Sequence, residues 1–156
     1  LYVNNEEETE KKYYKGFIYT NDLATWDKNQ FVTIIGRKDD MIISSGENIY
    51  PTEVEAVLNT HAKVKDCIVT SVPDKIRGQI VTAYIVPVVS IEEAEHGLAE
   101  ELDEFCKESN EIANFKRPRY YRFVSQIPFS ATGKKLHVKI KEIASRDQKN
   151  GLLYRV

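Results

Sequence analysis

Two β-prone apolar runs on either side of a turn-forming segment restrict the fold of this chain more than any other feature. The runs are Val64–Val72 and Ile80–Val89, and the segment between them, PDKIRGQ, contains the proline, aspartate and glycine typical of a turn. Pro87 limits the second run to an edge strand or to the end of a strand. The pattern therefore predicts two strands joined by a turn.

Helical patterns lie before and after these strands. Two pairs of residues have the spacing of a helix-capping box: Thr52 with Glu55 and Ser90 with Glu93. The first pair predicts a short helix over residues 53–60, and the second a longer helix whose apolar positions extend to Phe105. A last helical repeat follows Leu136, and short strands are predicted at Ile42–Ser44 and Tyr120–Val124. Helices packed on a small mixed sheet make this an α+β domain.

The first part of the chain has a different pattern. Two short β-prone runs, Phe17–Thr20 and Phe31–Ile35, are separated by NDLATWDKNQ, whose Asn and Asp residues favour a turn. We expect a hairpin with a long loop, and because an isolated hairpin is only marginally stable, we expect it to be the edge of another domain. The predicted division is residues 1–38 for this edge, 39–147 for the α+β domain and 148–156 for a tail.

Composition restricts the function classes. The chain has 156 residues, of which 42% are hydrophobic and 29% charged, and its net charge of -2 argues against nucleic acid as the main partner. No apolar run reaches the roughly 18 residues of a membrane span, and no secretory leader opens the chain, so we expect a soluble, cytoplasmic protein. Cys67 and Cys106 lack partners at metal or redox spacing, so we expect buried free thiols. The three histidines are scattered and lack H-x-x-x-H spacing, so we expect no metal site.

Four polar clusters occur where the fold alone does not require them. The first is YTNDLA, which contains Asp22, and the second is GRKDDMIISSGENIYPTEVE, which contains Arg37 and Gly46. Asp22 follows a β run, where a carboxylate can accept hydrogen bonds from the vicinal hydroxyls of a sugar or can simply initiate a turn. Arg37 can donate paired hydrogen bonds to ribose oxygens or to phosphate. Gly46 lies between a predicted strand and a predicted helix, where glycine permits close approach of a ligand or forms a plain turn.

The third cluster is FKRPRYY, in which Phe115 lies beside the cations Lys116, Arg117 and Arg119. An aromatic ring among cations suits phosphates that carry a stackable base, and it also suits nucleic acid. A solvated basic loop is the alternative interpretation.

The fourth cluster is FSATGKK, which at first resembles a phosphate-binding loop. A Walker loop needs a glycine five positions before Gly133 and a serine or threonine after Lys134, but Pro128 and Lys135 occupy those positions. We expect a loop that ends at the start of the last helix. Lys134 on such a loop can bring one positive charge to an oxyanion, or it can be an ordinary solvated lysine.

Taken together and in order, these clusters resemble the carboxyl-terminal part of the AMP-forming acyl-CoA synthetase, adenylation-domain and luciferase superfamily. The stretch YYKGFIYTNDLA resembles its G-x-x-x-T-G-D-L segment, GRKDDMIISSGENIYPTEVE its hinge signature, and IPFSATGKK its closing P-x-x-x-x-G-K. DDMIISSGENIYP with FCKES and ANFKRP is most similar to acid:CoA ligases of the aryl and fatty-acid kind. The resemblance implies a C-terminal lid domain preceded by the last hairpin of a large N-terminal domain.

The resemblance also implies an activity. Such a ligase adenylates an aryl or fatty acid with ATP and then transfers the acyl group to CoA, using Mg²⁺ whose ligand is expected in the large domain. Without that domain the chain is expected to be inactive. Two alternatives are an adenylation enzyme that loads a carrier protein and a non-catalytic α+β binding module. The basic FKRPR cluster favours CoA, because a carrier protein presents no adenosine phosphates.

The motifs assign roles to individual residues. Lys134 matches the catalytic lysine, which bridges the attacking carboxylate and the α-phosphate; Asp22 and Arg37 match the groups that hold the adenosine ribose, and Asp39 matches the hinge. Five positions match the family's CoA contacts: Ser45, Gly46, Phe115, Arg117 and Arg119. Asn21 and Ser45 replace glycines of the family pattern: at Asn21 we expect a different local turn, and at Ser45 a narrower channel.

Overall fold

In a computed structural model of the chain, residues 5–156 are described, and they form two units. The first unit ends at Asp39, and the second is Asp40–Val156. A short 3₁₀ segment, Lys38–Asp40, spans the boundary. None of the helices within residues 5–156 combines the length and the apolar character that a membrane crossing requires.

The first unit consists of one helix and two antiparallel hairpins: α1 (Glu6–Lys12), β1 (Tyr13–Tyr14), β2 (Phe17–Ile18), β3 (Asp22–Trp26) and β4 (Val32–Arg37). β1 pairs with β2, and β3 pairs with β4. A hairpin is present, but the prediction that Phe17–Thr20 pairs with Phe31–Ile35 is wrong. The partner of β4 is β3, which lies in the stretch that was predicted to be a loop.

Asp27 explains why the turn begins later than predicted. Its side chain accepts hydrogen bonds from the backbone N–H groups of Asn29 and Phe31, across 2.8 and 3.0 Å. An aspartate side chain that accepts a hydrogen bond from the backbone N–H two residues later forms an Asx turn. The turn-forming residues of NDLATWDKNQ therefore act at its second half, and LATW is free to form a strand.

The second unit is an α+β domain with a six-stranded mixed sheet. Its elements are β5 (Ile42–Ser44), β6 (Glu47–Ile49), α2 (Pro51–Leu58), β7 (Val64–Asp74), β8 (Gly78–Pro87), α3 (Ile91–Ala94), α4 (Leu98–Glu108), β9 (Tyr120–Phe123), α5 (His137–Lys149) and β10 (Tyr154–Arg155). The strand order is β10-β9-β8-β5-β6, and β7 also pairs with β8. Only the β8–β9 pair is parallel among the described strands. The predicted fold class is confirmed.

Both faces of the sheet are covered, and this explains the uninterrupted apolar runs of the sequence. On one face, side chains such as Val69 and Val81 pack with Leu58 of α2 and Leu102 of α4. On the other face, Ile68, Val72 and Tyr84 pack with Ile140 and Ala144 of α5. Neighbouring residues of β7 and β8 therefore belong to opposite cores, and Ile68→Ala is expected to cost about 2–5 kcal/mol.

The two predicted capping boxes had different outcomes. Ser90 Oγ accepts the Glu93 N–H across 3.2 Å, which confirms the second box, although Gly97 at φ +97° divides the predicted helix into α3 and α4. The first box is wrong. α2 begins at Pro51 without a side-chain cap, and the Glu55 carboxylate instead accepts the Val69 N–H of β7 across 2.8 Å.

The last residues of the chain belong to the second unit. α5 continues to Lys149, and β10 pairs with β9 in the register Tyr154 opposite Tyr121. Val156 donates its N–H to the Arg119 carbonyl across 3.2 Å. The strand Tyr154–Arg155, within the segment that was predicted to be a tail, therefore forms one edge of the sheet.

Candidate functional site

Asp22 and Arg37 face each other at the end of the β3–β4 hairpin. They are paired in the strand register, and Arg37 Nη1 donates to Asp22 Oδ1 across 3.3 Å. Arg37 Nη2 donates to Asp39 Oδ2 across 3.2 Å. The structure therefore brings together the three residues that were predicted to bind ribose or to form the hinge.

Asn21 completes this corner. Its φ of +64° lies in the left-handed region, which asparagine adopts more readily than most residues. Its Nδ2 donates to Asp39 Oδ2 across 2.9 Å, and this hydrogen bond, together with the Arg37 guanidinium, lowers the pKa of Asp39 below its ordinary value. Asn21 thus keeps a backbone conformation suited to glycine and adds a contact that glycine lacks.

An open cleft of about 680 Å³ adjoins the same corner. It is lined by polar, aromatic and aliphatic side chains of the first unit: Thr9, Lys12, Tyr13, Ile18, Tyr19, Thr20, Asp22 and Arg37. Its volume lies within the roughly 300–1,000 Å³ typical of small-molecule sites. The sequence prediction did not include Lys12, Tyr13 or Tyr19; the available signal was aromatic rings beside cations in KKYYKG.

Ser45 and Gly46 form the two-residue turn between β5 and β6. Both have positive φ, +53° and +84°, and Ser44 pairs with Glu47 across the turn. Positive φ at both central positions is the requirement of a type I′ hairpin turn. Ser45 also donates its N–H to the Arg77 carbonyl across 2.9 Å, so the turn is tied to the β7–β8 connection.

Lys134 lies on a short loop that is closed by its own backbone. Ser130 N–H donates to the Lys134 carbonyl across 2.8 Å, and the Lys134 N–H donates to Ser130 Oγ across 3.1 Å. Gly133 takes φ +76°, as a tight reversal requires. The Lys134 side chain is exposed, and its ammonium has no partner among the described side chains. The predicted loop is therefore present and leaves this charge free for a ligand.

The Lys135 side chain, unlike that of Lys134, is bound to the sheet. Its Nζ donates to Asp66 Oδ1 across 2.7 Å and to the Cys67 carbonyl across 2.5 Å, both on β7. Adjacent lysines of one loop thus have different environments: one ammonium is exposed, and the next is bound to the sheet. No local feature of the sequence signals this contact, because Asp66 and Lys135 are 69 positions apart.

The FKRPR loop contains three predicted CoA contacts in three environments. Phe115 is exposed. Arg117 is buried, and its guanidinium donates to Asp103 Oδ1 across 2.6 Å and to the Asn114 side chain. Arg119 Nε is buried and has no hydrogen-bond partner in the part of the chain that the structure describes. Of these three residues, Phe115 therefore has an exposed ring that a ligand can contact, and Arg119 has a hydrogen-bond donor that no described group uses.

A buried acid–imidazole contact, which the sequence did not predict, lies beneath the start of α5. His137 Nε2 is 3.8 Å from Glu55 Oε1, and His137 Nδ1 is buried without a partner among residues 5–156. Burial raises the pKa of Glu55, against the opposing effects of the Val69 N–H and His137. The available signal was the position of Glu55 between the apolar helix positions Val54 and Leu58.

The two cysteines are free and buried, as predicted. Burial raises the pKa of Cys106 to about 11 and raises that of Cys67 further, so neither thiol is a nucleophile at neutral pH. Within residues 5–156, no three His, Cys, Asp or Glu side chains are placed so that they could hold a metal ion.

Comparison with known proteins identifies the family. The family model of the AMP-binding enzyme C-terminal domain matches residues 53–134, which is more than half of the chain. The chain is 38% identical over 139 residues to the 2-succinylbenzoate–CoA ligase of Bacillus licheniformis and 36% identical over 141 residues to the long-chain-fatty-acid–CoA ligase of Bacillus subtilis. These alignments cover 89% and 90% of the chain but only 27% and 24% of the two ligases.

The structural comparison agrees. The o-succinylbenzoate CoA synthetase of Bacillus subtilis, solved in complex with its acyl-adenylate intermediate, matches with a TM-score of 0.79 and 35% identity, over 90% of this chain and 27% of that chain. The chain therefore belongs to the AMP-binding enzyme C-terminal domain family, and it spans about a quarter of the length of these relatives. The family resemblance found in the sequence is confirmed.

Proposed function

We propose that this chain is the C-terminal part of an AMP-forming carboxylic acid:CoA ligase. The observation that carries the proposal is the environment of Lys134, whose ammonium is exposed and has no partner in the described part of the chain, on a loop closed by Ser130 and Gly133. A fixed loop with one free cation suits the stabilisation of an anion, because the charge is positioned before the reaction begins. CoA ligases among the relatives support the class of activity.

The proposed reaction proceeds in two steps. A carboxylate oxygen attacks the α-phosphorus of ATP, the bond to the pyrophosphate oxygen breaks, and an acyl adenylate forms. The CoA thiol then attacks the acyl carbon, AMP leaves, and the thiol proton passes to solvent or a base. The first step joins two anions, so Lys134 would lower its barrier by bridging the carboxylate and the α-phosphate where negative charge concentrates.

The first unit supplies the proposed ribose contacts. Asp22 accepts from Arg37, but its side chain is still 38% exposed, so its carboxylate has capacity for the ribose hydroxyls. The adjoining cleft offers Tyr13 and Tyr19 as aromatic walls for the adenosine. The residues described here do not form a Mg²⁺ site, and we expect the ion that accompanies ATP to be held by the rest of the enzyme.

The need for a larger domain is supported by exposed apolar side chains of the first unit. Phe17, Trp26 and Phe31 are 73%, 82% and 72% exposed. Such a concentration of exposed large apolar residues marks a surface that another part of a protein covers. We propose that the large N-terminal domain covers it, and that the chain alone neither adenylates an acid nor transfers it.

Asp39 is the proposed hinge because it lies in the 3₁₀ segment at the boundary of the two units. Rotation there would exchange the face that carries Lys134 for the face that carries the Ser45–Gly46 turn, which we assign to the pantetheine arm of CoA. Phe115 and Arg119 are the proposed nucleotide contacts. Arg117 is the third proposed CoA residue. Because its guanidinium is paired with Asp103, it would act by holding the loop that carries Phe115 and Arg119.

The decisive experiment is acid-dependent exchange of labelled pyrophosphate into ATP by the full-length protein, with a panel of aromatic and straight-chain acids. Exchange with one acid class would support adenylate formation and identify the substrate class. CoA and a phosphopantetheinylated carrier protein, added separately, would then show which thiol accepts the acyl group. Failure of exchange with every acid would overturn the proposal and favour a binding module. The 156-residue chain alone is the negative control.

A further inference from the structure

The two adjacent lysines of the FSATGKK loop, Lys134 and Lys135, point in opposite directions: the first into solvent and the second toward the sheet. Phe129 forms an isolated antiparallel bridge with Lys135, so the loop has local strand geometry at its base. Successive side chains of an extended segment point to opposite sides. This places Lys134 outward, where it is exposed, and Lys135 inward, where its side chain is half-buried against β7.

We infer that Lys135 is a positioning residue for the adenylation step, acting through Lys134; this inference rests on the function proposed above. Its ammonium donates to the Asp66 carboxylate and to the Cys67 carbonyl, across 2.7 and 2.5 Å. A lysine shared between a carboxylate and a backbone carbonyl makes charge-assisted hydrogen bonds, which are stronger than neutral ones. The loop is therefore fixed to the sheet at the residue next to the proposed catalytic lysine.

The acceptors of Lys135 lie on a rigid part of the domain. Cys67 is fully buried, and β7 pairs with β8 without interruption from Asp66 to Asp74. Asp66 is itself held by the Cys67 N–H, which donates to Oδ1 across 2.8 Å. A contact to this strand therefore transfers the rigidity of the sheet to the loop.

The other contacts of the loop do not replace this anchor. Leu136 N–H donates to the Pro128 carbonyl across 3.0 Å, and Gly133 N–H donates to the Ser130 carbonyl across 3.0 Å. These bonds close the loop on itself but do not attach it to the sheet. Loss of the Lys135 contact would make these loop-closing hydrogen bonds open more often and let the loop shift, and a displacement of about 1 Å can cost about 100-fold in rate.

The test uses the full-length protein with Lys135→Met, which keeps the chain length of the side chain and removes its charge. We expect adenylate formation at saturating substrate to fall about tenfold or more. Thioester formation from a supplied acyl adenylate should change by less than about twofold, because Lys134 takes no part in that step. Lys135→Arg, which keeps charge and reach, should restore most of the adenylation rate.

The matched control is Lys139→Met on the exposed side of α5, which we expect to leave both half-reactions within about twofold of wild type. The reciprocal variant is Asp66→Asn. If Lys135 acts through Asp66, the double variant should lose little more adenylation rate than the worse single variant. Should Lys135→Met fail to fold, Asp66→Asn, which removes the same ion pair with little change in shape, decides between the outcomes.

Hydrogen exchange gives a readout that does not depend on activity. Lys135→Met should speed exchange of the Ser130, Gly133 and Leu136 amides by about tenfold and leave the β7–β8 amides unchanged. The inference is overturned if Lys135→Met matches Lys139→Met in exchange and adenylation, or if both half-reactions fall together. If the wild-type protein adenylates no acid, the proposed function fails, and exchange alone decides whether Lys135 anchors the loop.

Discussion

Arg117 and Asp103 form an ion pair in the interior of the second unit. Arg117 Nε lies 2.6 Å from Asp103 Oδ1, and the two side chains are only 10% and 8% exposed. Lys107 reaches the other oxygen of the carboxylate across 2.9 Å, and the Asn114 side chain accepts from the guanidinium. The pair joins the FKRPR loop to α4, so it sets the position of Phe115 and Arg119 even without a ligand.

Arg117→Met is expected to lower the free energy of unfolding by about 3–5 kcal/mol, because it leaves the Asp103 carboxylate buried without its main partner. Urea-induced unfolding measures this loss. The control is Arg122→Met, which removes a more exposed contact of 3.8 Å to Glu95 and should cost at most about 1 kcal/mol. Equal losses for the two variants would show that the buried ion pair contributes no more to stability than the more exposed one.

A substitution in the Ser45–Gly46 turn is expected to stabilise the protein, in contrast to Arg117→Met. A residue other than glycine in the left-handed region costs about 1–2 kcal/mol, and asparagine tolerates this conformation better than serine. Ser45→Asn should therefore raise the free energy of unfolding by about 0.5 kcal/mol, and Ser45→Val should lower it by more than about 1 kcal/mol. Thermal or urea unfolding measures both, and a destabilising asparagine would contradict the assigned turn.

The sequence predicted the second unit better than the first, for a physical reason. β7, β8 and α5 bury their apolar residues, so periodicity and composition identify them. The first unit exposes much of its apolar surface, and its strand β3 contains an Asp–Leu–Ala–Thr–Trp stretch whose neighbours are turn formers. The choice between loop and strand there depends on pairing with β4, which local propensity does not encode.

Site residues show the same limit. The exposed loop of Lys134 was predictable from local sequence, because its hydrogen bonds join residues that are close in the chain. The contacts of Arg117 with Asp103, and of Lys135 with Asp66, join elements that are distant in sequence. A charged residue in a polar motif has the same sequence pattern whether it binds a ligand or an internal carboxylate. Only the fold separates these two cases.

Glu55 should make stability depend on pH. Burial raises its pKa above the ordinary value of 4.5, so the folded state binds the proton more tightly than the unfolded chain. The stability from this group is complete below the ordinary pKa and is lost as pH rises through the raised pKa. Glu55→Gln cannot ionise and can still accept the Val69 N–H. Its stability relative to wild type should therefore increase between about pH 4 and pH 8, as urea titrations would show, whereas a constant difference would contradict the shift.

Asp39→Pro tests the hinge. Proline fixes φ and removes the backbone N–H, so rotation at the boundary of the two units would be restricted. In the full-length protein, thioester formation should slow by about tenfold or more while adenylate formation changes little. Asp39→Ala is the control, because it removes the contacts with Asn21 and Arg37 but leaves the backbone free. Unchanged CoA transfer in the proline variant would remove Asp39 as the hinge.

Lys134→Ala separates the two half-reactions. The ammonium makes no described contact, and the loop is closed by backbone atoms and Ser130, so the substitution should leave the fold unchanged. Loss of one preorganised charge at the α-phosphate should lower adenylate formation by about 100- to 1,000-fold. Thioester formation from a supplied acyl adenylate should stay within about twofold, measured beside Lys139→Ala as the surface control. Because the proposed rotation at Asp39 would withdraw Lys134 before the acyl carbon–oxygen bond to AMP breaks, an equal loss in both steps would rule out the proposed role of Lys134.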